Sequence, residues 1–437
     1  MARLILPYLL PVRTLRFFFS LRGLLVLVLL IALGLGLAGS GIYAMTNIWP
    51  GLGAHAVEVM RQIIGTEAAA ELETFVFELQ DQLKQLQYQI SGSQPQAPWA
   101  VSSASPTARS APVTAGHTPK PLSQPTPTPL PGETFGRHVA TPGQVTTPVQ
   151  ATTPEPPSWQ PAPVLPNGSL QGEGQWLAYL SDEASGRVVA YRTFLQPDAA
   201  RPYAIVSIVA FDLDVTRLHF VLGLEEPSSP VVVRRSGSIP DADKQAGVLL
   251  AAFNGGFKTE HGHFGVGVRG VTVLPPRYGL ATLAIHSNGQ LQLGAWGTEI
   301  TDSPDIVAWR QNCPLLVHNG EINPHTADNA PQEWGYTVKG VTATWRSALG
   351  LSADGRTLYY AVGPSLTLPI LAQSMATVGA ANAMQLDINP YWTHFDAFTA
   401  DGGQLQSKPL LDAMQRQADN RYLKPFSRDF FYVTLNN

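Results

Sequence analysis

A pair of glycines after an apolar run marks the first stretch of this sequence whose residue types could bind an anion. Residues 247–253 have the composition of a buried strand, and the motif Asn254-Gly255-Gly256-Phe257 with Lys258 follows directly. Because glycine has no Cβ, the amides of such a turn can approach a ligand closely and form a concave anion site. The same residues are also typical of a plain tight turn. These residues alone leave both interpretations open.

Two charged residues further along the chain lie on elements that could aim them at such a site. Arg346 lies near the start of one β-rich run and Asp387 near the end of another. An arginine can bind an oxyanion with two hydrogen bonds, and a carboxylate can accept a proton or stabilise positive charge. Strand ends are where a rigid scaffold presents such groups. The alternative interpretation is a structural ion pair that joins two strands.

Histidines follow the glycine turn at a spacing that raises the question of a metal. His261 and His263 on a strand would project both rings to one face, as a zinc site requires. No third histidine or carboxylate lies at a recognisable interval, so we predict no metal and no cofactor and expect both residues to contact substrate. Cys313 is the only cysteine and precedes an apolar run, so we expect it to be a buried hydrophobe.

The elements that must position Arg346 and Asp387 are well marked. Residues 345–351 and 357–362 are β-rich and flank Ala353-Asp354-Gly355, which predicts a hairpin. A helix should follow, with Thr367 as its N-cap and apolar residues at positions 368, 371, 375 and 378 on one face. Gly379 is placed to end that helix, and a strand at 383–388 then carries Asp387.

Further strands fill the rest of the C-terminal half. Residues 203–212 and 217–223 are predicted to be paired strands, and 280–286 and 290–295 flank the hairpin dipeptide Asn288-Gly289. Many strands with few helices indicate a mixed, strand-rich α+β fold over residues 167–437.

These motifs resemble the closing part of the phosphodiester glycosidases, the family of the lysosomal enzyme that uncovers mannose by removing phosphodiester-linked N-acetylglucosamine. The resemblance rests on the Arg-Ser-Ala-Leu-Gly run from Arg346, the helix sequence TLPILAQSMATVGA, the strand that ends in Asp387, and the upstream Asn-Gly-Gly-Phe at 254–257. It covers about the last 270 residues.

The resemblance implies a hydrolase that cleaves a sugar–phosphate ester at the anomeric carbon, with a glycan or glycosyl phosphate as its partner. A phosphate leaving group is a weak base, so such a site needs donors and cations for the phosphate and a carboxylate near the sugar. Arg346 would bind the phosphate and Asp387 would be the carboxylate. The substrate-binding residues implied around them are Asn254, Gly255, Gly256, Lys258, His261, His263, Asn389 and Trp392.

One segment departs from the family pattern. Asp387 is followed by Ile388-Asn389-Pro390-Tyr391-Trp392, where the family usually has glycines and serines. Aromatic residues there would suit sugar stacking without cleavage. The alternative to an enzyme is therefore a non-catalytic glycan-binding or envelope-scaffold protein with the same fold.

The N-terminal region has the composition of a membrane anchor. Residues 23–54 contain no charged side chain, and the apolar core of this stretch is long enough to cross a bilayer. The basic segment 1–22 precedes it, so the positive-inside rule predicts a single-pass anchor at 23–48 with a cytoplasmic N-terminus and an extracytoplasmic C-terminal domain. A cleaved signal peptide is the rival interpretation. The formal net charge of −4 gives no indication of nucleic-acid binding.

Two further segments separate the anchor from the folded domain. In residues 55–90, apolar side chains from Leu72 to Ile90 recur at heptad spacing, which predicts either a coiled coil that forms a homodimer through 72–90 or an amphipathic helix lying on the membrane or the main domain. Residues 91–166 are rich in Pro, Ser and Thr, which predicts a disordered linker.

Overall fold

The computed structural model describes residues 50–93, 95–99 and 159–436, apart from 167, 169, 329–332, 336–337 and 418–419. The predicted segments 1–22 and 23–48 and most of the linker 91–166 lie outside these residues. No helix in the described part of the chain is both long and apolar enough to cross a membrane.

The described residues form three α-helices and eighteen strands. The helices are α1 (Pro50–Ile64), α2 (Thr66–Ser91) and α3 (Leu368–Thr377). The strands are β1 (Leu177–Ser181), β2 (Val188–Leu195), β3 (Val206–Asp212), β4 (Thr216–Val221), β5 (Leu249–Asn254), β6 (Val266–Val268), β7 (Val271–Leu274), β8 (Ala281–His286), β9 (Leu291–Ala295), β10 (Ile306–Gln311), β11 (Leu315–His318), β12 (Glu321–Ile322), β13 (Thr344–Ser352), β14 (Thr357–Leu366), β15 (Ala380–Ile388), β16 (Phe395–Asp401), β17 (Gln404–Pro409) and β18 (Phe430–Leu435).

The strands form three antiparallel sheets. The first has eight strands in the order β1-β2-β3-β14-β13-β15-β11-β12. The second has the order β7-β6-β10-β8-β9, and the third has the order β17-β16-β5-β18-β4. The predicted strand-rich domain with few helices is confirmed.

The predicted hairpin, helix and strand around Asp387 are present. β13 pairs with both β14 and β15, so it forms the middle of the first sheet at this point. Leu368, Leu371 and Met375 of α3 are fully buried, and each contributes about 2 kcal/mol by removal of its apolar surface from water. Gly379 follows with φ 87°, a left-handed conformation that suits glycine at a helix end.

An aromatic cluster joins the first and third sheets at the end of β5. The ring of Phe253 on β5 lies 4.7 Å from that of Tyr360 on β14 and 6.0 Å from that of Phe395 on β16. The Tyr360 hydroxyl donates a 2.9 Å hydrogen bond to Oδ1 of Asn254. This packing fixes the end of β5, where the glycine turn begins.

The predicted pairing of residues 203–212 with 217–223 is wrong. β3 lies in the first sheet between β2 and β14, whereas β4 pairs with β18 in the third sheet. Between them the chain turns at Asp212, whose carbonyl accepts a 2.7 Å hydrogen bond from the Thr216 hydroxyl. The short connection between β3 and β4 has the sequence of a hairpin turn, but it carries the chain from the first sheet to the third. Apolar side chains of both strands are buried in one shared core, so the two strands lie close together without pairing.

Both ends of the predicted linker contact the domain. The Trp99 ring lies 4.4 Å from the Arg192 guanidinium, and the Trp159 ring lies 5.7 Å from that of Tyr191. Val164 is buried, and the Ala162 carbonyl accepts a hydrogen bond from the Trp176 indole. The described ends of residues 91–166 are therefore packed, and each carries a tryptophan, a residue type that residues 100–158 lack.

Candidate active site

A buried carboxylate and a buried guanidinium form the centre of the candidate site. Asp387, near the end of β15, is only 5% exposed, and its Oδ2 accepts a 2.5 Å hydrogen bond from Nη2 of Arg428. Its Oδ1 accepts a hydrogen bond from the amide of Ile388. The structure thus holds one carboxylate in a fixed orientation against one cation.

Burial raises the pKa of Asp387 to about 6, even though Arg428 stabilises the ionised form. Desolvation penalises the charged carboxylate more than the nearby cations favour it. A carboxyl group with a pKa close to neutrality is suited to proton transfer, and such shifts concentrate at functional sites.

Arg428 has hydrogen-bonding capacity that the protein does not use. It donates to Asp387 and, at 3.1 Å, to the Gly256 carbonyl through the same Nη2 atom. Its buried Nε and Nη1 atoms have no acceptor among the described residues. The guanidinium also lies 4.6 Å from the ring centroid of Trp392, a cation–π contact that orients it. Either unused donor on this oriented guanidinium can hydrogen-bond to an oxygen of an oxyanion.

Lys258 and His261 lie beside this pair. Burial lowers the pKa of His261 well below its usual range, and the neighbouring Arg61, Arg428 and Lys258 cations lower it further. The imidazole is therefore neutral near pH 7. The site combines a neutral histidine with cations that an anionic ligand could contact.

Helix α1 covers this part of the site. Glu58 forms an ion pair with Lys258, and Arg61 donates to Nε2 of His261. Arg61 is also paired with Glu73 of α2, which holds the two helices together. A ligand that reaches Lys258 must displace the Glu58 carboxylate.

The glycine turn does not present free amides. The amide of Gly255 donates to the Asp429 carbonyl at 3.1 Å, and that of Gly256 donates to the Asp429 carboxylate at 3.3 Å. A Cβ on Gly255 would lie 2.6 Å from that carboxylate, and one on Gly256 would lie 2.9 Å from the Arg310 guanidinium. The predicted anion cradle is therefore corrected: the anion it holds is the protein's own Asp429, whose Oδ2 also accepts from Arg310 at 2.8 Å.

The structure does not bring Arg346 to Asp387. Its guanidinium is buried and donates to Oε1 of Gln385 and to four backbone carbonyls, those of Leu366, Lys339, Gly340 and Thr342. Arg346 pairs with Ile388 in the ladder, so the two side chains share a face, and Asp387 points to the other one. The predicted phosphate contact of Arg346 is therefore corrected: this residue fixes β13 to the loop before it.

Asn254 lies next to the site, but its side chain is fully engaged. Its Nδ2 donates to the Ser347 hydroxyl at 2.9 Å, and that hydroxyl donates to the Asp387 carbonyl at 2.8 Å. Its Oδ1 accepts from Tyr360 and from the amide of His394. Asn254 thus positions the strand that carries Asp387 and has no remaining donor for a ligand.

The remaining predicted residues occupy the rim or build turns. Asn389 has φ 76°, and its Oδ1 accepts from the amides of Tyr391 and Trp392, so it shapes the turn after Asp387. The strand expected for His261 and His263 is wrong. The 3₁₀ turn Thr259–His261 holds the first, and His263 is exposed with φ 49°. Cys313 is fully buried, as expected.

Sequence reasoning missed Arg428 and Asp429. They lie together just before β18, whose sequence begins Phe-Phe-Tyr-Val. The available signal was an adjacent pair of opposite charges at the start of an apolar strand, the same kind of strand-end placement that drew attention to Asp387.

Part of the C-terminal domain is similar to a known protein family. Residues 248–387, from just before β5 to Asp387, match the sequence model of the phosphodiester glycosidase family. The resemblance expected from the motifs of this C-terminal region is thereby confirmed. Arg428 lies beyond the matched segment. No curated protein matches the sequence.

Solved structures give distant matches. The catalytic domain of zebrafish N-acetylglucosamine-1-phosphodiester alpha-N-acetylglucosaminidase, auto-inhibited by its pro-peptide, is 15% identical, with a TM-score of 0.37 over 60% of this chain and 88% of that one. A hypothetical protein from Synechocystis is 13% identical, with a TM-score of 0.28 over 53% of this chain and 59% of its own. A putative exported protein from Burkholderia pseudomallei is 12% identical, with a TM-score of 0.28 over 54% of this chain and 74% of its own.

Proposed function

We propose that this chain is a hydrolase that cleaves glycosyl phosphodiesters, with Asp387 and Arg428 at its centre. The observation that carries the proposal is the buried carboxylate–guanidinium pair, in which Arg428 keeps two donors unused by the described residues. The match of residues 248–387 to the phosphodiester glycosidases supports the same chemistry.

The roles follow from the charge that develops in the reaction. Arg428 and Lys258 bind the phosphate, which leaves as a weak base and needs cations more than a proton donor. Asp387, ionised above pH 6, lies near the anomeric carbon, where it activates water or stabilises oxocarbenium charge. Neutral His261 supplies a hydrogen bond at the edge of the phosphate site.

Substrate access requires helix α1 to move. Glu58 places a carboxylate on Lys258, the position that the substrate phosphate takes in this proposal. The covered arrangement is the resting form, and the ion pairs of Glu58 and Arg61 hold it closed.

The non-catalytic alternative has less support in the site geometry. It relied on Tyr391 and Trp392 as a platform for sugar stacking. One face of Trp392 is covered by Arg428, and the Tyr391 ring lies 4.9 Å from the Arg421 guanidinium. These aromatic faces hold arginines in place.

The proposed location is a cell membrane, with the N-terminus in the cytoplasm and the domain outside. It rests on the uncharged stretch 23–54 and the arginines before it. An extracytoplasmic hydrolase of this kind would act on envelope or exogenous glycans.

The test uses the full chain in detergent micelles with a nucleotide-linked N-acetylhexosamine, and it measures release of the free sugar. We expect turnover by the parent chain and a loss of about 10³-fold or more in Asp387→Asn, which keeps the shape of the side chain and removes its charge. Glycan binding without any turnover in the parent chain would refute the hydrolase and favour the scaffold alternative.

A further inference from the structure

Helix α2 lies on the domain through one face only. Asp81 accepts hydrogen bonds from Arg201 at 2.7 to 3.0 Å and from the Tyr203 hydroxyl at 3.1 Å. Lys84 donates to Ser365 and lies 4.7 Å from the Tyr203 ring centroid. The expected amphipathic helix thus rests on the main domain, held by these polar contacts, by Phe77 packed against a buried cluster and by the Tyr88 ring 5.5 Å from that of Tyr203.

The opposite face of α2 is apolar and uncovered. Ile90 is 76% exposed and Leu83 is 55% exposed. The full set, which we call the α2 seam, is Leu72, Val76, Leu79, Leu83, Leu86 and Ile90; all but the half-buried Val76 are exposed. A row of apolar side chains about 27 Å long is costly to leave in water and indicates a partner.

Heptad positions separate the two faces. With Leu72, Leu79 and Leu86 at position d, the other seam residues fall at position a. The domain-facing residues Asp81 and Lys84 then fall at f and b, on the far side of the helix. Docking to the domain therefore leaves every seam residue except the half-buried Val76 exposed, which is the arrangement a two-stranded coiled coil needs.

The residue types along the seam indicate a second copy of the same helix. Every d position is leucine, and Val76 and Ile90 place β-branched side chains at a, a combination that favours parallel dimers. The positions flanking the seam from residue 80 onward are neutral, so identical helices do not repel there: Gln80, Gln82, Gln87 and Gln89.

A membrane surface fits the same face less well. Helices α1 and α2 together carry six acidic residues and two basic ones. Helices that lie on bilayers are typically rich in Lys and Arg on the polar face. An acidic helix with an uninterrupted heptad row of apolar residues is suited to a protein partner.

We propose that two copies of this chain pair in parallel through the α2 seam and form a dimer that displays two outward-facing domains. The proposed anchor at 23–48 would hold both copies in one membrane and raise their effective concentration, which a seam of fewer than three full heptads needs. The dimer does not depend on the proposed hydrolase activity.

Disulfide trapping of the full chain in detergent micelles tests the geometry. Leu79→Cys at position d brings two thiols together in a parallel pair and should give a dimer on non-reducing gels, whereas Glu78→Cys at the outward position c should not. The native Cys313 is buried and is present in both variants, so any crosslinking through it would be the same in each. Equal trapping of both variants, or none, would overturn the proposal.

A second measurement guards against a trapping artefact. The combined change Leu79→Glu and Leu86→Glu should halve the protein mass measured by light scattering. The thermal unfolding of the domain should be unchanged, because both side chains are exposed. The matched control, Glu71→Gln with Glu78→Gln, should remain a dimer. A monomeric parent chain, or a seam that only drives binding to lipid vesicles, contradicts the inference.

Discussion

Two buried arginines in this domain have different partners and therefore different roles. All the contacts of Arg346 are neutral oxygens of the protein, and burial lowers its pKa to about 10. Arg428 is paired with Asp387 and retains unused donors. We infer that the first arginine stabilises the fold and that the second binds the phosphate in the proposed reaction.

This contrast gives a matched pair of substitutions. Arg428→Lys should lower kcat/KM by about 10²-fold with little change in unfolding free energy, because a lysine keeps the charge and loses the planar fork. Arg346→Lys should lower the unfolding free energy by about 3 kcal/mol, because buried carbonyls lose their donor, and leave kcat/KM of the folded fraction unchanged. Steady-state kinetics and urea unfolding measure both. A loss of kcat/KM in Arg346→Lys together with a loss of stability in Arg428→Lys would instead assign the phosphate-binding role to Arg346.

The pH profile reports the ionisation of Asp387. Because its pKa is raised to about 6 and the reactive form is the carboxylate, kcat/KM should be constant above that pH and fall about tenfold per unit below it. Burial lowers the pKa of His261 well below its usual range, so its titration lies further toward acid than that of a free imidazole. If the residual activity of Asp387→Asn still falls below pH 6 in the same way, the fall reports the ionisation of another group.

Among the secondary-structure elements, α1 is the one that we propose controls access to the site. The ion pair between Glu58 and Lys258 joins a helix outside the family-matched segment to the residue that follows the glycine turn. Breaking this pair should open the site without touching the catalytic pair.

Glu58→Gln should therefore raise kcat/KM about five- to tenfold, mostly through a lower KM, because the substrate phosphate no longer competes with a carboxylate. The control is Glu67→Gln, an exposed residue of α2, which should leave the kinetics unchanged. A fall in activity in Glu58→Gln would show that Glu58 assists the substrate rather than excluding it.

The elements around Asp387 were predictable because their signals are local. The turn at Gly355, the apolar period of α3 and Gly379 act within a few residues of where they occur. The role of Arg346 was not predictable, since its orientation depends on the register of β13 against β15. Arg428 reaches Asp387 across 41 residues of sequence, and only the joining of the first and third sheets brings them together.

At the scale of the whole molecule, the proposed anchor fixes where the domain works. In intact cells, an externally added protease should remove an epitope tag placed after Asn437, while a tag placed before Arg3 should survive until the membrane is opened. The expected asymmetry follows from the arginines that precede the uncharged stretch. Protection of the C-terminal tag would place the domain on the cytoplasmic side.

In the proposed reaction, Asp387 and Arg428 direct attack at the anomeric carbon rather than at phosphorus. Hydrolysis of a nucleotide-linked N-acetylhexosamine in ¹⁸O water, followed by mass spectrometry of both products, identifies the bond that breaks. We expect ¹⁸O in the released sugar and none in the phosphate product, and we expect release of labelled sugar to be lost in Asp387→Asn. Label in the phosphate product would mean cleavage of the phosphorus–oxygen bond and would contradict the account.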